Sequence, residues 1–190
     1  MFDLIIRNCT IVNGNQRPYA GSVAVTGEKI TAILSPQTDL PALTVIDGQG
    51  KALFPGLIDS HVHYRYDRGY NNGHEDYVTE TRSALLGGIT TAIRMQRELT
   101  PYRESIPAEL NLFSGQSHVD MAFHLAIMTE DQLETFPEAA REYGISSFKL
   151  YIAYKGKAGT LQGLQGADDG FLFDAMRRIG RFPNGVACVH

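Results

Sequence analysis

Long apolar runs are the first thing missing from this chain. No stretch approaches the about 20 residues needed to cross a bilayer, and the early apolar segment Leu4 to Val12 is interrupted by Arg7 and Asn8. A leader of basic, then apolar, then small residues is also absent, so neither secretion nor membrane insertion is expected, and the expected location is cytoplasmic. Cysteine is scarce. The two present, Cys9 and Cys188, sit inside apolar strand-like runs and read as buried thiols of a reducing compartment, with a disulfide as the alternative. There is no basic excess. Seventeen Lys and Arg against 21 Asp and Glu give a formal net charge of -4, without the positive field of a nucleic-acid binder. Neither a Gly-x-Gly-x-x-Gly after a strand nor a Walker sequence occurs, which argues against nucleotide binding.

What is present can build a core: 190 residues, 43% of them apolar, allow one or two domains. Residues 2 to 54 read as short strands and tight turns. Leu4 to Val12 is rich in β-branched residues and ends in the turn pair Asn13-Gly14; Ser22 to Thr26 and Lys29 to Leu34 flank a turn at Gly27-Glu28; Leu43 to Asp47 precedes Gly48 and Gly50. This all-β segment holds too few apolar residues for a sandwich of its own. After Pro55 the rhythm becomes strand, loop, helix, strand. Helices are predicted over Glu75 to Leu86, within Tyr102 to Phe113 with Pro107 troubling its middle, over Thr129 to Tyr143 with a break about Pro137, and over Phe171 to Ile179. Strands are predicted at Leu57 to Val62, Ile89 to Arg94, Met121 to Ile127, Ser146 to Ala153 and Val186 to Val189. The pattern predicts an incomplete β segment at 1–54 and a parallel β/α region at 55–190, an open sheet or a barrel.

Two constellations carry chemistry. The first is Pro55-Gly-Leu-Ile-Asp59-Ser-His61-Val-His63-Tyr-Arg65. Strand side chains alternate faces, so Asp59, His61 and His63 share one face at a strand's carboxyl end, as a metal site requires; the plain alternative is a surface loop with chance histidines. The second lies in Ser146 to Lys155. Phe148, Leu150 and Ile152 should pack on helices, which turns Lys149, Tyr151 and Ala153 toward the sheet interior. An ammonium buried there needs a carboxylate partner, loss of its proton or a change of chemistry, of which carbamylation by carbon dioxide is one. An edge strand, or a lysine that snorkels outward, is the alternative. His190 ends a strand in the same positional sense as His61 and His63. A domain rarely stops on a buried strand, so the chain reads as the front portion of a larger fold whose open apolar edges make it poorly soluble or dependent on partner chains. His124 has the parity of Ala122 and Ala126 and reads as a buried, hydrogen-bonded histidine. His74 reads as loop-borne. The aromatic stretch Tyr64 to Tyr77 and the glycine-rich Lys155 to Asp168 read as a pocket wall and a lid, or as contact and surface segments.

Pro55 to Arg65, Gly87-Gly88-Ile89-Thr90-Thr91, the lysine followed five residues later by tyrosine in Phe148 to Lys155, and Cys188-Val189-His190 together resemble the cyclic-amide branch of the amidohydrolase superfamily, which holds dihydropyrimidinase, hydantoinase, allantoinase and dihydroorotase. The likeness runs over essentially the whole chain. It implies the amino-terminal part of a distorted (β/α)8 barrel of the TIM type with a small flanking β-sandwich segment. It implies two divalent metal ions, zinc above all: His61 and His63 on the more buried one, an N6-carboxylated Lys149 bridging both, and His190 on the second. Water acidified by the two cations would attack the ring amide carbonyl, with Tyr154 donating to the developing oxyanion and binding substrate. Arg65 resembles the arginine that dihydroorotase-like members use for a substrate carboxylate, which makes an allantoinase or dihydroorotase-like activity the alternative; a salt bridge to Asp67 or Glu75 is its plain reading. A fourth histidine and a proton-shuttling aspartate are expected after residue 190, so these residues are expected to be inactive alone. The resemblance further implies a homo-oligomer, tetrameric in the family, acting on a small cyclic amide. A non-catalytic assembly homologue is the remaining reading, set against the retention of His61, His63, Lys149 and His190.

Overall fold

A run of β-branched residues makes the first strand, and its two polar residues shape it. The computed structural model describes residues 1–64, 76–154, 157, 159 and 166–190, and the chain falls into two compact units, Met1–Leu57 and Ile58–His190. In the first unit β1 (Phe2–Ile11), β2 (Tyr19–Thr26), β3 (Lys29–Leu34) and β4 (Ala42–Asp47) form a sheet in the order β3-β2-β1-β4, with the short β5 (Ala52–Leu53) also paired to β1. The hairpins β1-β2 and β2-β3 are antiparallel, whereas β4 and β5 run parallel to β1. Arg7 and Asn8 do not end β1. The β1-β2 register shifts between Ile6 and Cys9, Asn8 takes φ 54°, and its side-chain amide donates to Asp47 at 3.1 Å. Asparagine tolerates that left-handed conformation better than most residues, so the interruption becomes a bulge. Both cysteines are free, Cys9 buried and Cys188 half-buried.

The second unit carries β6 (Leu57–Val62), α1 (Asp76–Leu86), β7 (Ile89–Gln96), α2 (Tyr102–Phe113), β8 (Asp120–Ala126), α3 (Glu130–Tyr143), β9 (Ser147–Leu150), α4 (Asp169–Ile179) and β10 (Val186–Val189). The sheet order is β10-β9-β8-β7-β6, and the pairs β7-β8, β8-β9 and β9-β10 are parallel. Each strand lies beside its predecessor, and the order never reverses. A doubly wound sheet reverses at a switch point, so this curled sheet is part of a β/α barrel, separate from the mixed sheet of the first unit. Phe123, Leu125, Phe148 and Leu150, alternate residues of β8 and β9, are buried with Phe136 of α3 and Ile179 of α4 on the helix side. The intervening Ala126 and the following Tyr151 form a second, smaller cluster with Met128 and Tyr154. Sheet alternation thus separates a helix-packed face from an inner face that carries the polar side chains.

Two sequence expectations are corrected. Neither Pro107 nor Pro137 breaks its helix: α2 and α3 are each continuous through proline. An interior proline costs about 3 kcal/mol, but α3 buries Leu133, Phe136, Ala139 and Ala140, and a fully buried Leu or Phe side chain returns about 1.5–3 kcal/mol. Tertiary packing outweighs local propensity. Strand β9 is shorter than Ser146 to Ala153: it spans Ser147–Leu150, and beyond it the Ile152 and Ala153 amides both donate to the His190 carbonyl at 2.9 and 3.2 Å. Strand β6 opens the curled sheet, with β7 beside it among the described residues.

Candidate metal centre

Alternation along β6 puts Asp59 and His61 on one face, and His63 follows directly after the strand. The Asp59 carboxylate accepts the His61 backbone N–H at 3.0 Å, which holds the backbone where the two imidazoles leave it. The Nε2 atoms of His61 and His63 approach to 3.1 Å, with ring planes 58° apart. That approach suits a direct N–H···N bond. It equally suits two imidazoles on one tetrahedral cation, whose nitrogens stand about 3.3 Å apart when each metal–nitrogen bond is about 2.05 Å. Burial first, then the positive neighbours His61, Arg97, Lys149 and Arg94, push the His63 pKa down to about 4. The ring is therefore neutral at neutral pH, the form in which imidazole ligates a metal.

Lys149 stands on β9, an inner strand between β8 and β10, and is 5% exposed. The edge-strand and snorkelling alternatives fall with that placement. Among the described residues no hydrogen bond or ion pair reaches its ammonium, and the Tyr151 ring centroid lies 5.4 Å from Nζ. At the next strand end, His190 donates its backbone N–H to the Leu150 carbonyl at 3.0 Å. Its ring, Tyr151 and Tyr154 form a triangle with centroids 5.4 to 5.9 Å apart. The sequence-predicted residues thus fall into two groups, His61 with His63, and His190 with Tyr154. Lys149 is felt electrostatically by His63 and touches the ring triangle through Tyr151. No group of three or more His, Cys, Asp or Glu side chains forms among the described residues, so His190 does not join the His61–His63 pair. Imidazole nitrogens of this kind suit a divalent cation such as zinc.

Arg65 and His74 lie outside the described residues, as do residues 65–75 of the aromatic stretch and most of the glycine-rich segment. Beside Tyr151 a cavity of about 350 Å³ is lined by Ile127, Met128, Ala167 and Phe171 among others. No helix among the described residues is long and apolar enough to cross a membrane.

Two features escaped sequence reasoning. Arg94 on β7 is 3% exposed and pairs with Glu98 at 3.0 Å and Glu109 at 3.5 Å, while donating to Gln96. Burial alone would lower its pKa; Glu98, Tyr77 and Glu109 outweigh that and raise it. Its Nε donates to the Tyr64 carbonyl at 3.2 Å, so the network braces the backbone directly after His63. An arginine in the middle of an apolar strand was the available signal, although its partner on α2 could not be read from spacing. The second feature is the pairing of His124. The ring is 7% exposed, as a buried hydrogen-bonded histidine should be, and both nitrogens are engaged, Nε2 with the Ser60 carbonyl at 2.8 Å and Nδ1 with the Ser147 hydroxyl.

No protein-family model matches the chain. It is 34% identical over 173 residues to a D-hydantoinase of Geobacillus stearothermophilus, covering 89% of this chain and 35% of that protein. It is 33% identical over 188 residues to an allantoinase of Escherichia coli (strain SMS-3-5 / SECEC), covering 97% of this chain and 40% of that protein. Among solved structures, the D-hydantoinase of Bacillus sp. AR9 superposes with a TM-score of 0.85 at 29% identity, over 99% of this chain and 40% of that one. The chain therefore spans well under half the length of these relatives.

Proposed function

Because this chain belongs to the cyclic-amide branch of the amidohydrolase superfamily, we propose that it supplies the first metal-holding part of a hydrolase that opens a C–N bond of a cyclic amide ring, hydantoin-like or dihydropyrimidine-like. The observation that carries this reading is the 3.1 Å approach of the His61 and His63 Nε2 atoms on the strand-end face that also holds the buried Lys149. Two divalent cations, zinc foremost, supply Lewis acidity when bound, acidifying water and polarising the ring carbonyl. His61 and His63 would hold one cation. The Lys149 amine would add carbon dioxide, forming an N–C bond and releasing a proton, and the resulting carbamate would supply oxygen ligands to the metal centre. His190 holds the second cation, and the Tyr154 hydroxyl, whose ring lies 5.4 Å from that of His190, donates to the oxygen that gains charge in the transition state. The closing proton shuttle is not assigned to any residue of this chain. Arg65 is read as a bidentate grip on a ring carboxylate in the dihydroorotase-like alternative, and loss of a carboxylated ring analogue in Arg65→Ala tests it. The assembled enzyme is proposed as a homo-oligomer in the cytoplasm.

The test is a zinc titration of the chain with bicarbonate present, followed by intact-mass measurement. Saturable zinc binding, lost in His61→Ala and accompanied by the mass of one carbon dioxide on Lys149, is expected. Absence of both zinc and the added mass refutes the reading.

A further inference from the structure

Beneath the proposed ligands lies a second layer of polar groups, in which a residue of β8 joins the three strands that carry the ligands. His124 on β8 joins the Ser60 carbonyl on β6 and the Ser147 hydroxyl on β9, and Ser147 in turn lies 3.7 Å from the Cys188 sulfur on β10. Ser60 directly precedes His61. Ser147 stands two residues before Lys149, and Cys188 two residues before His190, so each shares its ligand's face of the strand. Barrel interiors are filled in layers drawn from alternating strand positions, and this layer sits one step below the chemistry. The hydrogen bonds also fix the histidine's chemistry. A carbonyl only accepts, so Nε2 carries the proton and donates to Ser60; Nδ1 of the neutral ring then accepts, and the Ser147 hydroxyl donates.

The consequence differs between the two arms. Strand β9 is held on both sides by β8 and β10, so the Ser147 arm adds little to its position. Strand β6 is the first of the curled sheet and, among the described residues, has β7 beside it. The Ser60 carbonyl is bonded by a side chain that reaches across from β8, two strands away, at the residue before the first metal ligand. A hydrogen bond there sets the height and tilt of the His61 backbone relative to the inner strands. The same principle operates where outer groups orient metal-binding side chains, and their loss typically weakens metal affinity about 10–100-fold.

We propose that His124 is a positioning residue that, through its Nε2–H bond to the Ser60 carbonyl, fixes the His61–His63 pair relative to the strand bearing Lys149. The inference rests on the metal-centre reading for its importance to metal, but its geometry can be read without metal. Gln places an amide N–H where the imidazole Nε2–H lies, Asn places an oxygen where Nδ1 lies, and Phe keeps volume without either. Two measurements on the full chain separate the possibilities. The first is zinc affinity by competition with a chromophoric chelator. The second is amide hydrogen exchange of His61 and Val62 without metal, together with the 15N shifts of the His124 ring.

The expected result is an Nε2-protonated His124 tautomer, zinc affinity reduced about 10–100-fold in His124→Phe and His124→Asn, and recovery to within about threefold of the parent in His124→Gln. Exchange at His61 and Val62 should accelerate in the same two variants, with the amides of β8 and β9 unchanged. If the parent binds no zinc, the metal-centre reading fails while the exchange and tautomer data still judge the positioning role. Equal zinc affinity and equal exchange in His124→Phe, or an Nδ1-protonated ring, overturns the proposal. Failure of His124→Gln to recover what His124→Phe loses also overturns it.

Discussion

Replacing Lys149 with methionine should stabilise this chain in the absence of zinc. The Lys149 side chain is 5% exposed, and its ammonium meets neither a carboxylate nor a hydrogen-bond acceptor among the described residues. Folding therefore buries most of this side chain without returning a charged partner. Methionine fills nearly the same volume with an unbranched apolar chain, and exchanging buried charged groups for packed apolar ones gains about 1–4 kcal/mol. Taking about 2 kcal/mol, and a urea dependence of about 2 kcal/mol per molar, the midpoint of urea unfolding rises by about 1 M. Lys149→Ala serves as the control, since it removes the charge but leaves a cavity and should gain less or lose stability. The order then reverses on adding zinc and bicarbonate. At a ligand concentration a hundred times the dissociation constant the parent gains about 2.7 kcal/mol by linkage, whereas Lys149→Met, lacking the bridging group, gains much less. A midpoint that falls in Lys149→Met without zinc would mean that the ammonium is paired in the folded chain. Equal zinc-induced stabilisation of both proteins would remove Lys149 from the metal centre.

Other parts of the structure give further tests. Glu109→Ala leaves the buried Arg94 guanidinium with Glu98 as its remaining charged partner and should cost about 3–5 kcal/mol, while Glu109→Gln, which keeps a hydrogen-bonding oxygen, should cost clearly less; chemical unfolding reads both. Phe136 packs edge-on against Phe148 with centroids 4.8 Å apart, and Phe136→Ala should cost about 3–5 kcal/mol in the same assay, with no change in the His124 15N shifts. Thr129 caps α3 by accepting the Gln132 amide at 3.2 Å, so Thr129→Ala should lose about 1 kcal/mol. Hydrogen bonds from Arg177 and Arg178 hold the Asp174 carboxyl below its ordinary range. A carboxyl lowered in the folded state stabilises at pH above its unfolded value, about 3.9, and that contribution is lost as pH falls through the lower folded value. Asp174→Asn should accordingly flatten the acid limb of the stability profile and leave the limb above pH 7 in place.

How far the sequence was legible depended on the range of the interaction. Alternation is local, and it placed Phe148 and Leu150 against the helices and Lys149 inward, from nothing more than the period of a strand. The spacing of His61 and His63 likewise forecast two rings leaving one face. Helix continuity was not local. Pro107 and Pro137 read as breaks because their cost is visible in the sequence, while the compensating burial of Ile106, Leu133 and Phe136 depends on what packs against them. The Arg94 network and the pairing of His124 join residues far apart in the chain, and one of the His124 contacts uses a backbone carbonyl, which no residue type encodes. The separation of His190 from the His61–His63 pair follows the same logic, since strand order decides which ends meet.

The His190 carbonyl accepts two amides, those of Ile152 and Ala153, and so fixes the turn that delivers Tyr154. A ribosome releases that tyrosine well before it releases the carbonyl. While the chain is being made, the turn has no acceptor, and the proposed oxyanion donor has no fixed address. It is secured only when the fifth strand of the curled sheet adds beside β9 and brings its terminal histidine with it. Synthesis therefore imposes an order on this site: the His61–His63 pair emerges first, the lysine next, and the tyrosine settles last, together with His190.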